Sequence, residues 1–332
     1  MYYLLASRLL GYRLHFALPA VCYLSVFLPE FGAKGIWISI FTSVSAFCNA
    51  GIDIIGHNSL CDYATNPLIN LTTCGLIVLG GLGYIVWWDV LRVFRLALHR
   101  HNLSALKQLT LHSKLAITAT IVLLLGGGIV IFLLERENPL TIGEMSLWDQ
   151  WQVSLFQSVT TRTAGFVTID QAALTHGSVV TSLVLMFIGG SPVGTAGGVK
   201  TVTVLILMAS AVNTFHNRDE ITLFNRRIER DALRKSIAVV SMSFLIVFVS
   251  TLLLSCVCEA SLSDLLYETV SATATVGLSR NLTSHLNTWG KMILICTMYL
   301  GRVGPISLAM AFQMSLKNSN MIKNPTEVVS VG

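Results

Sequence analysis

Three short stretches of the 332-residue chain combine small and hydroxyl-bearing residues with a glycine: SVSAFCNAGI from Ser43 to Ile52, SVTTRTAGF from Ser158 to Phe166, and VSATATVGL from Val270 to Leu278. Their chemistry lies in the backbone. A glycine lets successive carbonyls turn toward one axis, and rings of carbonyl oxygens can replace the hydration shell of K+. The candidate coordinating stretches are Cys48 to Gly51, Thr161 to Gly165 and Thr275 to Gly277. Asp53 and Asp170 follow two of the glycines and stand where they would enrich cations at an outer mouth.

Spacing strengthens this reading. Gly51 and Gly165 are 114 positions apart, and Gly165 and Gly277 are 112. A constant period of this kind marks a repeated structural unit. Any one cluster is equally well read as a close-packing surface between helices, but three at near-constant spacing are not. One further period back from Gly51 falls before Met1, so an architecture of four units would be represented here by three.

The elements that must position these stretches are set by a lipid solvent. The chain is 53% hydrophobic and 12% charged, against roughly 25% charged residues in a soluble domain, and its mean hydropathy is +0.69. This excludes an ordinary cytosolic enzyme. The net charge of +5 comes from basic clusters between apolar runs, as the positive-inside rule demands, and nucleic-acid binding is not expected. The seven cysteines lack CxxC spacing and read as small packing residues.

A bilayer span needs about 20 apolar residues, and six stretches qualify: 14–29, 68–94, 113–134, 178–212, 236–258 and 288–312. Arg92, Arg95, Arg100, Lys107 and Lys114 in one loop, Arg218 to Lys235 in another, and Lys317 and Lys323 in the tail assign those connections, and both termini, to the cytoplasm. Acidic connections alternate with them. Each contains an apolar stretch too short to cross, at 36–48, 147–160 and 262–274. These are expected to be re-entrant half-helices whose partly negative C-terminal ends aim at a cation.

Glycines also interrupt the second span of each unit: Gly80, Gly81 and Gly83; then Gly189, Gly190, Ser191, Pro192, Gly194, Thr195, Gly197 and Gly198; then Gly301 to Pro305. The segment 189–198 cannot remain helical and is expected to be a flexible intramembrane gate, with a packing kink as the alternative. Arg302 falls within the last span, where a charge is costly and usually functional. It is read as an electrostatic barrier, or alternatively as a partner of Glu268. Arg162 would repel the ion if it faced it, so it is expected behind the strand as a brace. Lys200 is expected either to brace the cytoplasmic side or to contact the gate itself.

SVSAFCNAGID, QSVTTRTAGF, SPVGTAGGVKT, YLGRVGPIS and the closing NPTEVVSVG resemble stretches of the Trk/Ktr/HKT potassium transporter superfamily, and within it of the bacterial Ktr membrane subunits. The resemblance implies an all-α integral membrane protein of membrane–pore-loop–membrane units, three present of an expected four, around a central ion pore. It narrows the K+ filter to Asn49, Ala50 and Gly51, to Thr163, Ala164 and Gly165, and to Thr275, Val276 and Gly277. It implies a homodimer in the cell membrane and a cytoplasmic RCK-type regulatory subunit, KtrA-like or TrkA-like, with nucleotide on that partner and no cofactor on this chain. Na+ is a possible coupling ion.

On this reading the chain divides into a cytoplasmic segment 1–13, a second-type unit 14–97, a cytoplasmic linker 98–112, a third-type unit 113–215, a basic loop 216–235, a fourth-type unit 236–314 and a cytoplasmic tail 315–332. Two rivals remain. A non-conducting remnant or split-subunit partner would keep the fold without transport. An intramembrane enzyme is disfavoured, because the spans hold few ionisable groups and His99, His101 and His112 sit in a basic loop rather than in a ligand array.

Overall fold

The computed structural model describes residues 19–56, 58–100, 108–216 and 221–304. The reading of 1–13, the start of the first span, Lys107, Arg218, Pro305, Lys317, Lys323 and the closing motif lies outside them. The described chain is built of helices. In order they are α1 (Pro19–Phe31), α2 (Ala33–Phe47), α3 (Pro67–Gly81), α4 (Tyr84–Arg100), α5 (Leu111–Glu135), α6 (Leu147–Thr160), α7 (His176–Phe187), α8 (Thr201–Phe215), α9 (Arg230–Ser255), α10 (Leu262–Ala274), α11 (Leu282–His285) and α12 (Thr288–Val303). In the basic loop, β1 (Thr222–Leu223) and β2 (Arg226–Arg227) pair antiparallel. Phe224 and Asn225 between them both have positive φ, at 50° and 59°, the geometry of a two-residue hairpin turn.

The order repeats three times: a helix, a second helix of 13 to 15 residues (α2, α6, α10), a glycine-bearing strand, and a helical return. Among the described residues, α5 and α9 are long and apolar enough to cross a membrane, and α3 with α4 would make a third if the bent pair were one span. At about 1.5 Å per residue, the 25 residues of α5 extend about 38 Å. Large apolar side chains such as Val122 and Leu125 on α5 and Phe244 and Phe248 on α9 are exposed, as a lipid-facing surface requires.

The half-helices start where the sequence supplies caps. Ser146 accepts the Asp149 amide at 3.3 Å, and Ser261 accepts that of Asp264 at 3.2 Å, so α6 and α10 open on the same Ser-x-x-Asp arrangement. A different device recurs on α5 and α7. Thr110 caps α5 and donates to Asp89 at 2.8 Å, while Thr175 caps α7 and donates to Glu135 at 2.7 Å. Each cap is thus held by a carboxylate from an earlier helix, α4 for the first and α5 for the second.

The interruptions of the return segments differ in form. The expected span 68–94 is two helices, α3 and α4, bent by 98°. Gly83, at φ +82°, makes the corner, and a side chain there would meet the Pro192 carbonyl oxygen at 2.6 Å. The expected span 178–212 is α7 and α8, separated by residues 188–200 without helix apart from a single bridge pairing Ile188 with Val199. Two apolar clusters fill the space between units: Tyr23, Phe27, Phe156 and Phe166 join the first to the second, and Ile169, Val179, Tyr267 and Val276 join the second to the third.

Candidate functional site

The three glycine strands have one backbone shape. Two residues before each glycine stands a non-glycine residue in left-handed conformation: Asn49 (φ 51°), Thr163 (φ 71°) and Thr275 (φ 56°). The glycines follow at φ 65°, 88° and 95° for Gly51, Gly165 and Gly277. Successive left-handed positions turn the peptide planes, and such strain persists only where the surroundings over-determine it. Here the half-helices supply the restraint. The amides of Ala50, Ala164 and Val276 donate back to Ser45, Thr160 and Ser271 at 2.9, 3.0 and 2.9 Å. The hydroxyls of Ser45 and Thr160 each donate at 2.6 Å to the carbonyl just past the glycine, that of Ile52 or Phe166.

The strands converge on one another. A methyl group on Gly51 would collide with the Ala164 carbonyl and lie 2.8 Å from the Gly165 Cα, and one on Gly165 would collide with the Val276 carbonyl. On Gly277 it would meet only the Gly165 Cα, at 3.9 Å. The arrangement is therefore an arc. Its middle strand is buried on both sides, whereas Ala50 and Gly277 at its two ends are exposed. Among the described residues, no hydrogen bond ends on the carbonyl oxygens of Asn49, Ala50, Gly51, Thr163, Ala164, Gly165, Thr275, Val276 or Gly277. Unpaired carbonyls gathered inside a membrane protein are costly unless a cation or water meets them.

Directly against the arc lies the segment 189–198. Ser191 and Thr195 donate their amides to Gly81 and Gly80 at 3.0 and 3.2 Å. The Thr195 hydroxyl donates to the Phe47 carbonyl at 3.1 Å, and the Gly197 amide to the Thr163 hydroxyl at 3.0 Å. Arg162, 6% exposed, donates to the Gly189 carbonyl at 3.0 Å. This bond ties the middle strand to the first residue of the loop. On the other side of the loop is a cavity of about 360 Å³ lined by Gly194 to Lys200, Thr203, Thr273 and Gly301 to Gly304. Lys200 donates to the Ala196 carbonyl at 2.7 Å, and Arg302, exposed into this space, reaches the Thr195 carbonyl at 3.4 Å. Glu268 is not its partner: that carboxylate, 4% exposed, accepts from Ser279 and, at 2.8 Å, from Thr283.

The structure adds residues that the sequence does not single out. Gln171 receives Gln157 at 2.6 Å and Tyr267 at 2.9 Å on its amide oxygen, while its carbonyl accepts from Arg280 at 3.1 Å. Arg280 also pairs with Asp264 at 2.8 Å, so the second and third strands are clamped together. Asp170 caps the short turn at Gln171 by accepting the Ala172 amide at 2.9 Å, and Asp53 stands partly buried past Gly51. No group of three or more metal-ligating side chains occurs among the described residues.

Comparisons with known proteins follow the same lines. A family profile described as TrkH, cation transport protein, matches residues 13–324. The chain is 36% identical to the potassium/sodium uptake protein NtpJ of Enterococcus hirae, over 98% of its own length and 72% of that protein's. It is 35% identical to the Ktr system potassium uptake protein B of Vibrio alginolyticus, over 98% and 70%. Its fold superposes with a TM-score of 0.72 on the crystal structure of the potassium transporter TrkH from Vibrio parahaemolyticus, at 20% identity, and spans 92% of this chain and 63% of that one.

Proposed function

The chain belongs to the TrkH family of cation transport proteins, and on that premise we propose that it carries K+ across the bacterial cell membrane as the ion-translocating subunit of a Ktr-type or Trk-type uptake system. The observation that carries this reading is the set of backbone carbonyls that meet no hydrogen-bond donor among the described residues, on three converging glycine strands. Oxygens in this state bind a partly dehydrated K+ without first breaking protein hydrogen bonds. The filter is assigned to Asn49 to Gly51, Thr163 to Gly165 and Thr275 to Gly277. The half-helices α2, α6 and α10 end at these strands, so their partly negative ends favour the same cation.

The loop Gly189 to Gly198 is assigned as the gate and Arg302 as an electrostatic barrier beneath it. A cation approaching the cavity meets the Arg302 charge, which a moving loop or partner would relieve. The open side of the arc, between Gly277 and Ala50, calls for a further glycine-bearing unit to close the ring. The same reading gives a homodimer, cytoplasmic ends to the chain and an RCK-type regulatory partner that carries nucleotide. Na+ is a second candidate ion for the same path, in keeping with the E. hirae relative's name as a potassium/sodium uptake protein.

The test is rubidium uptake in a potassium-uptake-deficient bacterial strain. The chain is expressed alone and in a form extended at its N-terminus by a fourth membrane–pore-loop–membrane unit. K+-competed uptake by the extended form is the expected result. Membrane insertion of both forms without uptake by either would overturn the assignment and favour a non-conducting assembly partner.

A further inference from the structure

We propose that the Thr163 hydroxyl couples ion preference to the position of the gate: its hydrogen bond from Gly197 keeps the middle strand in its selective shape, and loop movement releases it. The proposal rests on reading the strands as a filter and segment 189–198 as a gate. Thr163 is fully buried and holds φ at 71°, a conformation that a β-branched residue keeps only when its surroundings impose it. The Gly197 amide, 3.0 Å from its Oγ1, donates the hydrogen bond that ties this side chain to the loop.

Gly197 is also wedged against the next strand. A β-carbon on it would lie 2.5 Å from the Ala274 carbonyl oxygen and against the Thr275 hydroxyl. Thr163 and Thr275 occupy the same left-handed position in their strands, so a single loop residue rests on both. The third such residue, Asn49, is held differently: its side-chain amide lies against the Ala46 and Ile77 carbonyls, and with its nitrogen turned toward them it donates at 3.1 and 3.2 Å. The loop therefore touches the strained residues of two strands and reaches the first only at its base, where the Thr195 hydroxyl donates to the Phe47 carbonyl. When Gly197 withdraws, the Thr163 peptide loses the contact that opposes its relaxation, and its carbonyl turns away from the axis. Discrimination between K+ and Na+ depends on the number and direction of such oxygens, so a chain with a displaced loop is expected to select less well than one with the loop in place.

The test measures rubidium uptake and its inhibition by Na+ in the conducting form, with protein in the membrane quantified in parallel. Thr163→Val keeps the shape and removes the acceptor; Thr163→Ser keeps the acceptor. Gly197→Ala displaces the loop from the other side. Thr163→Val and Gly197→Ala are expected to raise sensitivity to Na+ about tenfold, the change that one hydrogen bond supports, while Thr163→Ser stays near the unsubstituted chain. Either Val or Ala variant present in the membrane with unsubstituted Na+ sensitivity overturns the proposal, and so does equal loss in the serine variant, which marks a purely steric role. If the unsubstituted chain itself shows no preference for K+, the filter assignment fails rather than the coupling alone.

Discussion

The guanidinium of Arg162 and the carbonyl of Gly189 are 3.0 Å apart, which joins a buried cation on the middle glycine strand to the first residue of the loop beneath it. Truncating Arg162 to Gln withdraws the charged donor and leaves the Gly189 oxygen poorly paired, a change of about 1–3 kcal/mol. The Arg162→Gln protein is expected to melt at a lower temperature in detergent and to leak rubidium at rest. An unaltered melting temperature together with unaltered resting flux would refute the brace.

The glycines of the arc are expected to differ in tolerance. Gly165 combines φ +88° with a side-chain direction blocked by the Val276 carbonyl, whereas Gly277, at φ +95°, has only the Gly165 Cα at 3.9 Å. Gly165→Ala should therefore deplete folded protein in the membrane, while Gly277→Ala should assemble and lose K+ selectivity. Fluorescence-detected size exclusion and rubidium uptake separate the two effects, and selective uptake by Gly277→Ala would count against its filter role.

Among the described residues, the hydrogen bond of Arg302 to the loop is a 3.4 Å contact with the Thr195 carbonyl, so its removal should disturb the fold little. Arg302→Gln is expected to raise resting flux several-fold with melting temperature unchanged. A fall in flux would show that the charge attracts rather than opposes the transport cycle.

Glu135 has no place in the ion path, and its effect should be confined to stability. Its carboxylate accepts from Asn138, Thr141 and both the amide and hydroxyl of Thr175, at 2.6 to 2.8 Å. Glu135→Gln is expected to destabilise by about 2 kcal/mol with K+ to Na+ preference unchanged. Altered selectivity in the surviving protein would contradict this separation.

Much of this arrangement is readable from particular residues. The stretches 147–160 and 262–274 are apolar, too short to cross and followed by glycine, and they coincide with α6 and α10 because length and composition alone set a half-helix in lipid. The break at Gly80 to Gly83 is legible, but the 98° corner is not, since it depends on Gly83 meeting the Pro192 backbone more than 100 positions away. Arg162 is expected from the sequence to serve as a brace, but its contact is not legible there, because Gly189 offers only a carbonyl that leaves no mark in the side-chain pattern. Gln171 is invisible for a related reason: its partners Gln157, Tyr267 and Arg280 come from α6, α10 and the loop after α10, and an isolated glutamine carries no periodicity.

The corner between α3 and α4 has a mechanical consequence. The 15 residues of α3 rise about 22 Å, less than the roughly 30 Å of hydrocarbon in a typical bilayer, and a helix turned through 98° from one that follows the bilayer normal lies almost in its plane. With Tyr84, Trp88 and Phe94 exposed along its length and Arg92 and Arg95 among them, α4 has the makeup of an interfacial float. It would act as a depth gauge for the first glycine strand, and membrane thickness becomes a variable to which this side of the pore answers.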